Sequence, residues 1–222
     1  MTVRAAPPPD CALCPRLVAY RATLRAARPD WHNAPVASFG PEDAGLLIVG
    51  LAPGRAGANR TGLPFTGDRA GDVLRAALLR HGLARRQDAA RPSDGLELLD
   101  CRIANALRCV PPANRPLRSE LVACRPFLAA DLQVEPRPGV ILALGRIAHE
   151  AIFRALRLPL RPFAHGRRDE LPDGRLVFAS YHTSRYNSST GRLASAMFDD
   201  LIGEVARALR VWRSSRAVRS FR

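Results

Sequence analysis

Four short apolar runs, at residues 46–50, 98–106, 140–145 and 176–182, set the tightest limit on how this chain folds. The first, Leu46-Leu47-Ile48-Val49, has the unbroken apolar character of a parallel strand buried on both faces. Helix-like stretches lie between the runs, near residues 69–82, 117–132 and 146–156. Further helices are expected over 15–27 and from 190 to about 209. Strands alternating with helices predict an α/β fold: a three-layer αβα architecture with a central, mostly parallel four-stranded sheet and helices on both faces. No repeat or linker divides the chain, so residues 1–222 are expected to form a single domain. It ends in a basic tail over 210–222 that is expected to be flexible, with arginine at every third position from Arg207 to Arg222 and no acid between.

Composition narrows the function classes. Hydrophobic content of 47% and charged content of 24% suit a soluble globular protein, and no apolar run approaches the roughly 20 residues of a membrane span. The segment Pro7-Pro8-Pro9 near the start lacks the apolar core of a signal peptide, so the cytoplasm is the expected location. Net charge is +14, from 34 basic residues against 20 acidic ones, and every basic residue is arginine. That excess attracts polyanions, which makes nucleic acid the leading partner class.

The first strand empties into a long loop, residues 50–68, with five glycines, two prolines and one aromatic, Phe65. Glycine lets backbone approach a ligand closely, and loops this long inside compact domains are usually functional. Asn105, Gly145 and His182 end the other three runs. In open parallel sheets, ligands bind at the carboxyl ends of the strands, so these four features are expected to share one crevice.

Five cysteines are an odd number, and a disulfide framework is not expected in the cytoplasm. Cys11 and Cys14, with Cys109 and Cys124, form two pairs that suit a four-thiolate site. Spacing alone leaves zinc and an iron–sulfur cube both open. Cys101 lies within the second run and reads as a small buried residue.

Three blocks together resemble the iron–sulfur uracil-DNA glycosylases, above all the type-5 class. They are Gly50-Leu-Ala-Pro-Gly54 running on to Pro64-Phe-Thr-Gly-Asp68; Asn105-Ala-Leu-Arg-Cys109 with Cys124-Arg-Pro-Phe127; and His182-Thr-Ser-Arg-Tyr-Asn-Ser-Ser-Thr-Gly-Arg-Leu193. The resemblance implies that Cys11, Cys14, Cys109 and Cys124 hold a [4Fe–4S] cluster. It implies a DNA repair enzyme, expected to be a monomer, that hydrolyses the N-glycosidic bond of a flipped uracil, or of another deaminated base such as hypoxanthine or xanthine, leaving an abasic site.

On this reading Gly50, Ala52, Gly54, Phe65, Asn105 and His182 form the base pocket. Phe65 stacks on the base, and Asn105 offers donor and acceptor on one planar amide for its edge. His182 stabilises charge growing on the base, and Asp68 orients or deprotonates the attacking water. The alternative for Asp68 is the N-cap of the helix that begins near Arg69. Arg185, Tyr186, Asn187 and Arg192 are candidates for DNA contact, as wedge or phosphate holders.

Two departures matter. Type-4 enzymes carry an acid where this chain has Ala52, a gap that resembles the type-5 class. Thr183 follows His182 where a proline is commoner in the family, a change expected to affect loop stiffness. A competing reading, a non-catalytic iron–sulfur or zinc protein that binds DNA, keeps the cysteines and arginines but makes Phe65, Asp68, Asn105 and His182 incidental.

Overall fold

The computed structural model describes residues 6–86 and 95–220. In chain order the elements are α1 (Pro15–Ala27), β1 (Leu46–Gly50), α2 (Ala58–Thr61), α3 (Arg69–Arg80), β2 (Ala84–Arg86), β3 (Leu96–Leu98), β4 (Cys101–Asn105), α4 (Arg118–Gln133), β5 (Val140–Leu144), α5 (Arg146–Ala155), β6 (Arg168–Glu170), β7 (Leu176–Ser180), α6 (Arg185–Ser189) and α7 (Ser195–Ser220). The central sheet has the order β4-β1-β5-β7-β6. Its first four strands are parallel, and each lies within one of the four apolar runs of the sequence.

Alternation along β1 explains the three layers. Leu46 and Ile48 face a core built with Leu74 and Leu78 of α3 and with Phe198, Ile202 and Val205 of α7. Leu47 and Val49 face the opposite core, with Leu128 and Leu132 of α4 and Ile152 and Phe153 of α5. Side chains on successive strand residues point to opposite faces, so one apolar run feeds both cores.

The fold corrects the expected boundaries at three places. The sheet has five strands rather than four, because β6 pairs antiparallel with the outer side of β7. Its Arg168-Asp169-Glu170 sequence carries no apolar signal, as suits a short charged edge strand. The run at 98–106 is two strands. Asp100 takes a left-handed backbone (φ 52) between β3 and β4, and its carboxylate accepts the Gly45 amide at 2.6 Å.

The basic tail expected to be flexible from residue 210 is helical as far as Ser220, the last described residue. Packing accounts for this. A Cβ on Gly139 would fall 1.9 Å from Trp212 Cε2, so the indole fills the space that this glycine leaves open. Arg213 Nε donates to Asp100 Oδ2 at 2.9 Å. These contacts bolt the end of α7 below the starts of β1, β4 and β5, at the opposite end of the sheet from Gly50 and Asn105. Among the described residues no helix is long and apolar enough to cross a membrane.

Candidate active site

The carboxyl ends of β1, β4 and β7 lead to one cavity, whereas Gly145, after β5, lines a second one beside it. Gly50 and Asn105 are register partners at the ends of β1 and β4. A Cβ on Gly50 would lie 2.6 Å from both Asn105 Oδ1 and Phe65 Cε2, so the missing side chain is what lets ring and amide close on the strand end. Phe65 itself adopts a left-handed backbone (φ 55), an uncommon state for an aromatic residue. Strain of this kind, held by its surroundings, concentrates at ligand sites.

Phe65 and Asn105 line a cavity of about 580 Å³. Its wall includes Ala52, Gly54, Phe65, Asp68, Asn105 and His182 from the expected set. Gly50 sits behind the ring and the amide rather than on the wall. Leu51, Ala58, Arg69, Ala70, Asn114 and Ser184 complete the wall and were not expected. Asn114 follows Ala113, and both have left-handed backbones (φ 54 and 53), so the loop after the second expected strand turns back sharply to the pocket mouth. An Asn next to prolines carries a turn signal in sequence but no hint of the surface it reaches.

Asn105 is only 3% exposed, and its Oδ1 has no hydrogen-bond partner among the described residues. A buried unpaired carbonyl oxygen costs about 1–3 kcal/mol, a cost that a ligand donor would remove.

Asp68 is the N-cap of α3 and keeps its second oxygen outside that bond. Its Oδ1 accepts the Gly71 amide at 2.9 Å and caps α3. Its Oδ2 lies against two glycines: a Cβ on Gly54 or Gly57 would come within 2.9 or 2.5 Å of it. The cap thus fixes the carboxylate while the glycines make room for its second oxygen.

His182 stands beside Phe65, with ring centroids 6.0 Å apart. Burial pushes its pKa below the ordinary histidine value, and the Asp68 carboxylate opposes that in part. The imidazole is therefore neutral at pH 7, with one N–H to donate. The Thr183 hydroxyl donates to the Ala70 carbonyl at 3.1 Å, tying this loop to the start of α3. A proline at that position could not make the bond.

The loop after His182 is less uniform. Arg185 is the first residue of α6, and Tyr186 is 69% exposed. Asn187 Nδ2 donates to the His182 carbonyl at 2.8 Å, which commits part of that amide to holding the loop. The Arg192 guanidinium lies 4.7 Å over the Tyr181 ring.

Cys11, Cys14, Cys109 and Cys124 all line one small pocket, together with Arg21, Leu17 and Phe127. Arg21 Nη1 donates to Cys109 Sγ at 3.8 Å, and the Arg108 amide to Cys124 Sγ at 3.3 Å. Burial pushes the thiol of Cys109 up to about 11 and that of Cys124 up to about 12. Thiolates here need a compensating cation, and the donors already aimed at sulfur suit a cluster of negative charge. Among the described residues no three His, Cys, Asp or Glu side chains are grouped to hold one metal ion. Four thiols lining one pocket are a donor set that fits a thiolate-bound metal centre. Cys101 is apart from this group and donates to the Leu83 carbonyl at 3.1 Å in the core.

Comparison with known proteins adds the deciding observation. The family model of the uracil DNA glycosylase superfamily matches residues 37–206, a span that begins before β1 and ends within α7. The chain belongs to the uracil-DNA glycosylase superfamily. Within it, the chain is 44% identical to the type-5 uracil-DNA glycosylase of Thermus thermophilus, over 89% of this chain and 93% of that protein. It is 42% identical to the type-5 uracil-DNA glycosylase of Mycobacterium leprae, over 86% and 88%. A type-5 uracil-DNA glycosylase of Pyrobaculum aerophilum is 37% identical, over 89% and 88%. The pocket of this superfamily member has Ala52 in its wall, and among the described residues Asp68 is its only acidic lining residue.

Proposed function

We propose that this chain is a monofunctional DNA glycosylase, which hydrolyses the N-glycosidic bond of uracil flipped out of DNA and leaves an abasic site. The observation that carries the reading is the unpaired, buried Asn105 carboxamide set against the Phe65 ring in a pocket that also holds Asp68 and His182. A base in a duplex must leave the stack before a pocket of this kind can take it. Phe65 then stacks on its face, and Asn105 accepts from N3–H through Oδ1 while its amide N–H faces O4.

Water attacks C1′ as the bond from C1′ to N1 breaks, and the electron pair leaves with the base. Asp68 Oδ2 holds the water and takes its proton, while neutral His182 donates to O2 as negative charge grows there. Ala52, Gly54, Ala58 and Ala70 keep the wall thin, which supports acceptance of hypoxanthine and xanthine beside uracil. Tyr186, with Arg185, Asn187 and Arg192, contacts the DNA around the gap left by the flipped base.

Cys11, Cys14, Cys109 and Cys124 would hold a [4Fe–4S] cluster, which when bound would cross-link the N-terminal segment to the segment after β4 and to α4 itself. The protein residues brace the same junction. Arg16 of α1 donates to Glu120 of α4 at 2.7 and 2.8 Å and to the Arg115 carbonyl at 3.0 Å. The chain acts as a single-domain monomer in the cytoplasm, and one continuous central sheet supports the single domain. A non-catalytic DNA-binding protein would leave the convergence of Phe65, Asp68, Asn105 and His182 without a purpose.

The test is excision by the iron-loaded protein from oligonucleotides bearing uracil, hypoxanthine or xanthine. Alkali-labile abasic sites at uracil are expected. No release of any of the three bases would exclude the reading.

A further inference from the structure

Beside the base pocket lies a second cavity of about 330 Å³, at the carboxyl ends of β5 and β7. The two cavities share Leu51 and His182 as a common wall. We propose that this second cavity is a nucleotide subsite that takes the base next to the flipped one on the same strand. The proposal rests on the reading of the first cavity as a base pocket.

The walls supply the chemistry. Phe163 and Tyr181 stand at an angle of 56°, with centroids 6.0 Å apart, and present aromatic surface to the cavity. Both rings are held from behind. His165 stacks on Tyr181 at 5.4 Å, and its Nδ1 accepts the Tyr181 amide at 3.3 Å, yet it is not part of the cavity wall. His149, fully buried, meets Phe163 edge-on at 5.6 Å. Rigid, braced rings are what a stacking platform needs, because little side-chain freedom is lost on binding.

Two cations complete the site. Arg192 lies 4.7 Å over Tyr181 and Arg146 5.5 Å over Phe163, both on exposed side chains that also line the cavity. A guanidinium over an exposed ring is a weak contact, easily exchanged for a base. The displaced arginine then finds the phosphates on either side of that base. The volume sits at the small end of ligand sites, with room for one nucleotide and none for a base pair. Because consecutive nucleotides are covalently joined, a strand that delivers one base to Phe65 carries its neighbour past the shared His182 wall. Tyr181 and His182 are adjacent in sequence, so one strand end serves both subsites.

The experiment uses single-strand oligonucleotides in which the nucleotide on the 5′ or the 3′ side of uracil is replaced by an abasic tetrahydrofuran spacer. Excision at sub-saturating, iron-loaded enzyme is expected to fall roughly tenfold with the spacer on one side, as for loss of one base–aromatic stack. Tyr181→Leu should erase that ratio, and Tyr181→Phe should keep it. Each variant is compared with itself on the fully based oligonucleotide, so a general loss of stability or rate cancels. Fluorescence anisotropy on the same oligonucleotides gives the ratio again as affinity, whether or not excision occurs. Indifference of the wild-type protein to both spacers, or an unchanged ratio in Tyr181→Leu, would overturn the subsite. Absence of excision with the affinity ratio intact would instead count against the glycosylase reading alone.

Discussion

Gly50 and Asn105 face each other across neighbouring parallel strands, and a Cβ on Gly50 would lie 2.6 Å from the Asn105 carboxamide oxygen. The approach of the Phe65 ring and the Asn105 amide to this strand end therefore depends on an absent side chain. Gly50→Ala would push the Asn105 amide and the Phe65 ring apart. Overpacking of this kind costs about 1–3 kcal/mol of stability. Uracil excision should fall much further, because both base contacts move together. Thermal unfolding and single-turnover excision on the same preparation check this, with a folded but nearly inactive protein as the expected outcome.

Asp68 has one oxygen committed to a helix cap and the other outside that bond, against Gly54 and Gly57, and two substitutions separate the cap from the charge. Asn at an N-cap is as good as Asp, whereas Ala costs about 1 kcal/mol. Asp68→Asn is expected to keep the melting temperature and Asp68→Ala to lower it by a few degrees. Both should lose about 100-fold or more in single-turnover excision. Wild-type excision by Asp68→Asn would mean that the charge of Asp68 is not needed.

The outline of this arrangement was legible in the sequence because apolar runs and glycine loops report directly on buried parallel strands and their exits. The four runs hold β1, β4, β5 and β7, and the features that end three of them meet in one crevice, whereas Gly145, at the end of the fourth, lines the neighbouring cavity. What escaped was carried by other physics. Arg168-Asp169-Glu170 joins the sheet through backbone pairing to β7, which charged side chains do not announce. Trp212 orders the end of α7 through a gap at Gly139, a relation across the chain that no local pattern reveals. Asn114 reaches the pocket through two consecutive left-handed residues, one of them an alanine that gives no such signal. Cys11 and Cys109 belong to one four-thiolate site on the pairing of the cysteines, and the structure brings them to one pocket.

His149 should make the fold sensitive to mild acid. Both ring nitrogens are buried without a hydrogen-bond partner among the described residues, and burial pushes the pKa below 6.5. Asp169 and Glu150 pull it up, Arg167 and Arg146 push it down, and burial outweighs them all. The unfolded chain thus binds the proton more readily than the folded one. The stability due to neutral His149 is fully present above pH 6.5 and is lost as pH falls towards its folded value. Melting temperature measured from pH 8 to pH 5 should drop less steeply in His149→Phe than in the wild-type protein.

Asp131 anchors the cysteine-bearing segment from inside. It forms an ion pair with Arg108, both side chains being 1% exposed, and accepts from the Ser38 hydroxyl at 2.9 Å. Arg108 precedes Cys109 and gives its amide to Cys124 Sγ. Removing one partner of a buried pair costs about 3–5 kcal/mol, because the other charge is left stranded. Asp131→Ala should show that loss in urea unfolding, together with reduced iron content and visible absorption after purification.

The measurement that bears most directly on the account is single-turnover uracil excision by Asn105→Ala beside DNA affinity of the same protein. Loss of an interaction that strengthens in the transition state is worth about 100-fold or more. The account predicts that excision falls by that order while affinity for the uracil-containing oligonucleotide changes little. Excision at the wild-type rate would contradict the assignment of this cavity as the site where the base is held and released.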